Sequence, residues 1–264
     1  MDLQLKDKLA LVTGSTAGIG LATAEALARE GAGVIITGRT QRRVDEALSK
    51  LVAVNPNARP EGLAVDLGTS EGAEAITERW PSVDILINNV GIFEPKPFEQ
   101  ISDADWLRFF EINVLSGVRL SRHYLPHMKA SNWGRIVFIS SESALQIPVE
   151  MIHYGMTKTA QLAIARGLAE TTRGTNVTVN SVLPGPTASE GVNEFVGKLA
   201  ENQKKSAKDV ERDFFAHARP SSILQRFERP EEIASVVAFL ASPRSSAING
   251  AAVRADGGVV RSIG

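Results

Sequence analysis

Residues 154–158 read YGMTK, placing one of only two tyrosines in the chain four positions before a lysine. On a helix, positions i and i+4 share a face with Cβ atoms about 5–6 Å apart. Tyr154 and Lys158 would therefore point into one space. An unperturbed phenol has a pKa of about 10. A neighbouring ammonium favours the phenolate and draws that value toward neutrality, where a general acid/base works best. A motif this short also arises by chance, so its meaning depends on the elements that position it.

A second chemical signal lies at residues 13–20, TGSTAGIG, between an apolar run and a helical pattern. Gly14 permits a tight turn, Gly18 lets backbone approach a pyrophosphate, and Gly20 lets the helix sit close on the sheet. The helix N-terminus then faces the anion. Ser15, Thr16 and Ile19 complete this expected nucleotide cradle. The second apolar run ends VIITGRT, with Gly38 where an acid would hold a ribose 2′-hydroxyl and Arg39 directly after it. An arginine there accommodates a 2′-phosphate. NADP(H) is the expected cofactor, with NAD(H) possible. Arg42 and Arg43 follow, and one or both can simply decorate the next helix.

Seven apolar runs stand out: KLALVT (8–13), GVIIT (33–37), GLAV (62–65), VDILIN (83–88), GRIVFIS (134–140), NVTVNSVL (176–183) and INGAAV (248–253). Rich in Val, Ile and Leu without strict alternation, they read as strands covered on both faces, as in a parallel sheet. Helical patterns separate them, including one opening at Pro230 with Glu231 and Glu232 and running to about Leu240. The alternation predicts an α/β fold with a doubly wound sheet. Between about 186 and 229 no strand is expected. That polar stretch, with Phe195, Phe214 and Phe215 as apolar anchors, reads as a helical lid over the site.

The bulk properties narrow the function. At 264 residues and 43% hydrophobic, the chain can bury a large core. Its 29 basic and 30 acidic residues leave a net charge of −1, which argues against a nucleic-acid partner. Without cysteine, disulfides and thiolate metal sites are excluded. No apolar stretch reaches membrane-spanning length, so a soluble cytoplasmic protein is expected. His123 and His127 lie four apart around Pro126 with no third ligand evident, so no metal site is expected. His153, beside Tyr154, is expected either in the substrate pocket or on plain surface.

With TGSTAGIG, NNVG at 88–91, Asn113, the Ser140-Ser141 pair, YGMTK and NSVLPG at 180–185 in this order, the sequence resembles the short-chain dehydrogenase/reductase family. The resemblance runs over about residues 6–258. It implies a single Rossmann-like domain over 1–264, a seven-stranded parallel sheet and assembly as a homodimer or homotetramer. It carries the catalytic roles to Tyr154, Lys158, Asn113 and Ser141, the last lying thirteen residues before the tyrosine. Ser140 competes for the serine role, although strand alternation sends the two to opposite faces. The resemblance further assigns cofactor contacts to Asp66, Leu67, Asn89, Val90, Gly91, Pro184, Gly185 and Thr187, and to Tyr154 and Lys158 themselves. Asp66 has a plainer alternative as a helix cap. The implied reaction interconverts a ketone or 3-oxoacyl group and a secondary alcohol, with the tyrosine as acid/base. A nucleotide-binding sensor without catalysis is the alternative. Pocket candidates are Ser143, Leu145, Ile147, Val149, Met151 and His153, with lid residues Val192 to Phe195 and Phe214, which together suggest a hydrophobic substrate.

Overall fold

The computed structural model describes residues 2–56, 59–203 and 205–263. Its strands are β1 (Leu9–Val12), β2 (Gly33–Gly38), β3 (Glu61–Ala64), β4 (Ile85–Asn88), β5 (Gly134–Ile139), β6 (Val177–Pro184) and β7 (Ala252–Ala255). They form one parallel sheet in the order β3-β2-β1-β4-β5-β6-β7. The helices are α1 (Gly18–Arg29), α2 (Gln41–Val54), α3 (Ser70–Arg79), α4 (Asp103–Phe110), α5 (Ser116–Ala130), α6 (Ile152–Glu170), α7 (Glu190–Gln203), α8 (Ala207–His217) and α9 (Pro230–Leu240).

The uninterrupted apolar strands have a direct cause in this layering. Ala10, Val12, Ile36, Ile85, Ile87 and Val137 face α1, α2 and α9, where Leu27, Val44 and Ile233 meet them. Their alternates Leu11, Ile35, Leu86, Ile136 and Phe138 face α3, α5 and α6, against Ile76, Tyr124 and Ala165. Both strand faces are buried, so polar alternation is absent. The chain turns from strands on one side of β1 to strands on the other at the β1/β4 boundary, where open α/β sheets bind ligands beyond the strand ends.

Two expectations shift. The last strand starts at Ala252, because Asn249 and Gly250 form a turn; Gly250 has φ 73°. Asn180 fixes that turn, donating to the Ile248 carbonyl at 2.8 Å and accepting from Ala251 N at 3.0 Å. The stretch after β6 carries α7 and α8, as expected of a helical segment, and adds a parallel bridge between Thr187 and Glu228. Phe214, Phe215 and Phe227 pack at ring separations of 5.1–5.2 Å, which anchors α8. The Phe195 side chain lies outside the described residues. No helix among the described residues is long and apolar enough to cross a membrane.

Candidate active site

Helix α6 projects Tyr154 and Lys158 into a cavity of about 570 Å³ at the C-terminal ends of β4, β5 and β6. Ser141 lies just beyond β5 and lines the same cavity as Tyr154. Ser140 is turned away, its Oγ donating to the Lys158 carbonyl at 2.9 Å. Strand alternation thus selects Ser141 for the site. The Ser141 hydroxyl accepts from Ser143 N at 3.1 Å and donates to the Glu142 carboxylate.

Behind the lysine, α4 and α5 are joined by a π-helical turn, Glu111–Leu115, that holds Asn113. Asn113 Oδ1 accepts from Ile92 N at 2.7 Å, and its Nδ2 donates to the Ile92 carbonyl and to Thr157 Oγ1, each at 3.0 Å. The Asn113 backbone carbonyl lies on this widened turn. Gln161 Nε2 donates to that carbonyl at 2.6 Å, and Gln161 Oε1 accepts from Lys158 Nζ at 3.3 Å. Lys158 Nζ also donates to the Ile139 carbonyl at 2.8 Å. Gln161 is a site residue the sequence reading missed; its signal is the i, i+3 spacing from Lys158 on one helix face.

Electrostatics correct the expected tyrosine chemistry. Burial raises the Tyr154 phenol well above its ordinary value, and the Glu142 charge pushes the same way. Burial likewise lowers the Lys158 ammonium to about 7. Lys158 Nζ lies 5.6 Å from the Tyr154 ring centroid. Desolvation is the largest influence on the buried phenol. A raised phenol favours the protonated form, which can donate a proton.

The glycine turn has the shape of a phosphate cradle. Gly14 and Gly18 adopt left-handed φ of 59° and 55°, open to glycine without a steric penalty. A Cβ on Gly20 would sit 2.5 Å from both Asn89 Nδ2 and the Gly14 carbonyl, so helix α1 packs there against bare backbone. Asn89 clamps the turn, its Nδ2 donating to the Thr13 and Gly14 carbonyls at 2.9 and 3.0 Å. Val90 N donates to Thr13 Oγ1 at 3.2 Å. Gly91 lies beside Lys158 and Asn113; a Cβ there would meet Nζ at 3.4 Å and Oδ1 at 3.6 Å. Ile19, Asn89, Gly91, Pro184, Gly185 and Thr187 line the cavity together with the catalytic candidates.

Some expected contacts are otherwise engaged. Ser15 is buried, its Oγ donating to the Val12 carbonyl at 2.6 Å and its N to the Thr37 carbonyl at 2.9 Å. It serves the turn and offers a ligand no donor. The Leu67 side chain is buried in the core. Asp66 Oδ1 accepts from Gly68 N at 2.9 Å, while the cap of α3 is Thr69, which accepts from Gly72 N at 3.1 Å. The cap alternative for Asp66 therefore fails. Thr187 Oγ1 donates to the Gly185 carbonyl at 2.9 Å. Beneath that turn Glu228 accepts from Gly185 N at 3.1 Å, its carboxyl raised to about 7 by burial.

At the end of β2, Gly38 is demanded by packing: a Cβ there would sit 2.4 Å from Thr16 Cγ2. A side chain at 38 would require Thr16 to move. Arg42 pairs with Glu46, and Arg43 reaches across to Glu190 on α7. Arg39 is exposed and has no ion-pair partner among the described residues. Its guanidinium is free to take a phosphate, so the residues present fit a 2′-phosphorylated dinucleotide.

The pocket differs from its apolar forecast. Ser143, Met151, Val192 and Phe214 line it, but Leu145, Ile147 and Val149 face solvent. His153 is neither pocket nor surface: it is fully buried, its ring 4.0 Å from Phe109 and 6.0 Å from Trp106. Adjacent helical residues point about 100° apart, so facing Tyr154 into the cavity turns His153 into the α4 contact. His123 Nε2 donates to the Pro81 carbonyl at 3.0 Å, and its ring lies tilted 5.6 Å from that of His127. Helix α5 runs through Pro126 rather than ending between them. The cavity also holds four charged residues unforeseen from sequence: Glu142, Glu150, Asp213 and Arg219.

Residues 14–260 match the family model described as enoyl-(acyl carrier protein) reductase. The chain is 52% identical to the oxidoreductase YvaG of Bacillus subtilis, with 100% of both chains covered. It is 34% identical to the 3-oxoacyl-[acyl-carrier-protein] reductase FabG of Aquifex aeolicus, covering 98% of this chain and 100% of that one. Among solved structures, L-sorbose reductase from Gluconobacter frateurii, complexed with NADPH and L-sorbose, superposes with a TM-score of 0.94 at 30% identity over 100% of both chains.

Proposed function

We propose that this chain, which belongs to the short-chain dehydrogenase/reductase family and acts on CH–OH and C=O groups with NAD(P), uses NADP(H) and Tyr154 to interconvert a ketone and a secondary alcohol. The observation that carries the reading is the convergence of Ser141, Tyr154 and Lys158 on one cavity, with Asn113 wired behind them. When bound, the nicotinamide supplies or accepts the hydride. The chain's own residues do the rest. Tyr154 gives its phenolic proton to the carbonyl oxygen, and takes it back in oxidation. Ser141 holds that oxygen and stabilises its developing charge. Lys158, held by Ile139 and Gln161, stands beside the phenol; Asn113 anchors the β4 loop.

The free Arg39 guanidinium supports NADP(H), and solved relatives bind NADPH or NADP. The α7–α8 segment acts as the lid, since Val192, Val196, Val210 and Phe214 form one cavity wall. Leu107 and Phe110, exposed on α4, suit a homo-oligomeric contact. FabG relatives bring 3-oxoacyl thioesters among the substrates to try, and the L-sorbose complex brings ketohexoses.

The experiment is fluorescence titration of NADPH and NADH on wild type and Tyr154→Phe, followed by turnover on a carbonyl panel. NADPH binding should survive in the variant while turnover drops about 10²–10⁴-fold. Equal turnover in the two proteins would reject the tyrosine's role.

A further inference from the structure

Glu142 stands one residue beyond Ser141 and is 4% exposed, an unusual place for a carboxylate. Its Oε1 accepts from Arg219 Nε at 3.1 Å, and its other oxygen accepts from the Ser141 hydroxyl. Arg219, 7% exposed and just past α8, also donates to Glu150 Oε1 at 3.0 Å. All three charged side chains line the cavity with Ser141 and Tyr154.

A hydroxyl carries one proton. Ser141 accepts from Ser143 N and donates its proton to Glu142, which leaves nothing to donate to a substrate oxygen. For Ser141 to polarise a carbonyl, Glu142 must give up that bond. A buried carboxylate short of a donor is costly, so the substrate has to supply a replacement. A plain ketone or thioester brings only acceptors. A hydroxyl on the carbon next to the carbonyl brings a donor, at the spacing of the adjacent Ser141 and Glu142 side chains. Charge sharpens the choice: Arg219 is shared by two carboxylates, Glu142 and Glu150, so this cluster disfavours a substrate carboxylate beside it.

We infer that the cavity selects a neutral α-hydroxy ketone or polyhydroxy ketone, with Ser141 and Tyr154 on the carbonyl oxygen and the Glu142 carboxylate accepting from the neighbouring hydroxyl. Arg219 is the positioning residue that neutralises Glu142 and fixes its orientation, and it ties the end of α8 to the reacting centre. This inference rests on the carbonyl-reduction reading above and narrows its substrate.

The test uses the full chain with NADPH and a nearly isosteric pair, hydroxyacetone and 2-butanone, with D-fructose and an acetoacetyl thioester alongside. Wild type should favour hydroxyacetone over 2-butanone by at least about tenfold in kcat/KM, the scale of a charge-assisted hydrogen bond. That ratio should fall several-fold in Glu142→Gln and to about one in Glu142→Leu. NADPH titration checks that both variants keep the cofactor site. Calorimetry with 1,2-propanediol against 2-butanol gives a readout independent of turnover, and the diol should bind more tightly to wild type only. Reduction of both ketones with a ratio near one, or a ratio unmoved in both variants, overturns this inference alone. Failure to reduce any carbonyl while NADPH binds overturns the carbonyl-reduction reading and this inference with it.

Discussion

Acid should destabilise this protein through His153, and His153→Phe should remove that part of the response. The imidazole is fully buried between Phe109 and Trp106, and neither ring nitrogen has a partner. Burial lowers its pKa from the ordinary 6.5. The surrounding charges come as two acids and two bases, Asp105 and Glu94 against Lys96 and Arg108, already joined as ion pairs at 2.7 and 2.8 Å. They offer the imidazolium little net help.

The sign follows from proton counting. Below pH 6.5 the unfolded chain binds a proton at His153 that the folded chain refuses, so stability falls as pH falls. The slope approaches about 1.4 kcal/mol per pH unit, giving at most about 2 kcal/mol between pH 6.5 and 5. Glu228 acts in the opposite sense. Its folded value of about 7 is raised, so its contribution is present below the unfolded carboxyl value and is lost as pH rises toward 7. The whole-protein curve mixes the two, and only the difference between wild type and His153→Phe isolates the histidine. Urea unfolding of both proteins at pH 8, 6.5 and 5 provides it. The variant should lose less than wild type between pH 8 and 5, by at most about 2 kcal/mol. The added ring volume can shift absolute stability by about 1–3 kcal/mol, but does so at every pH. Parallel curves would refute the reasoning, because they would mean the folded protein holds His153 protonated or its nitrogens bonded.

Other predictions follow from single contacts. Gln161→Leu removes the bridge between Lys158 and the Asn113 carbonyl; kcat/KM should fall about tenfold and the alkaline limb of the pH profile should move to lower pH, since the ammonium loses an acceptor. An unchanged profile would reject its positioning role. Arg39→Ala should cut the NADPH-over-NADH binding ratio by about tenfold or more, whereas Arg42→Ala, whose guanidinium is already paired with Glu46, should leave it alone. Equal effects of the two in fluorescence titration would discard Arg39 as the phosphate ligand. Gly20→Ala, whose Cβ would fall 2.5 Å from backbone, should cost about 1–3 kcal/mol or more in urea unfolding. Gly167→Ala, exposed on α6 with nothing within 4 Å, should instead gain about 0.5–1 kcal/mol. A loss at 167 matching that at 20 would show the steric argument to be wrong.

The sequence by itself determined the sheet, the glycine turn and the catalytic face of α6, because each rests on local spacing. Seven apolar runs without alternation mean strands covered twice, and a tyrosine and lysine four apart must share a helix face. It also separated Ser141 from Ser140, since neighbours on a strand end diverge. What it could not supply was every property set by segments far apart in the chain. Glu142 meets Arg219 across 77 residues and Asn113 meets Gln161 across 48, and no period or motif encodes such a meeting. The phenol's pKa, expected to fall next to a lysine, is pushed up by burial instead. A neighbouring ammonium is visible in sequence, but the desolvation that raises the phenol and lowers the lysine is a property of the assembled cavity. His153 was misplaced for that reason too: its position beside Tyr154 was local, and only the packing of α4 against α6 decided that it is sealed inside.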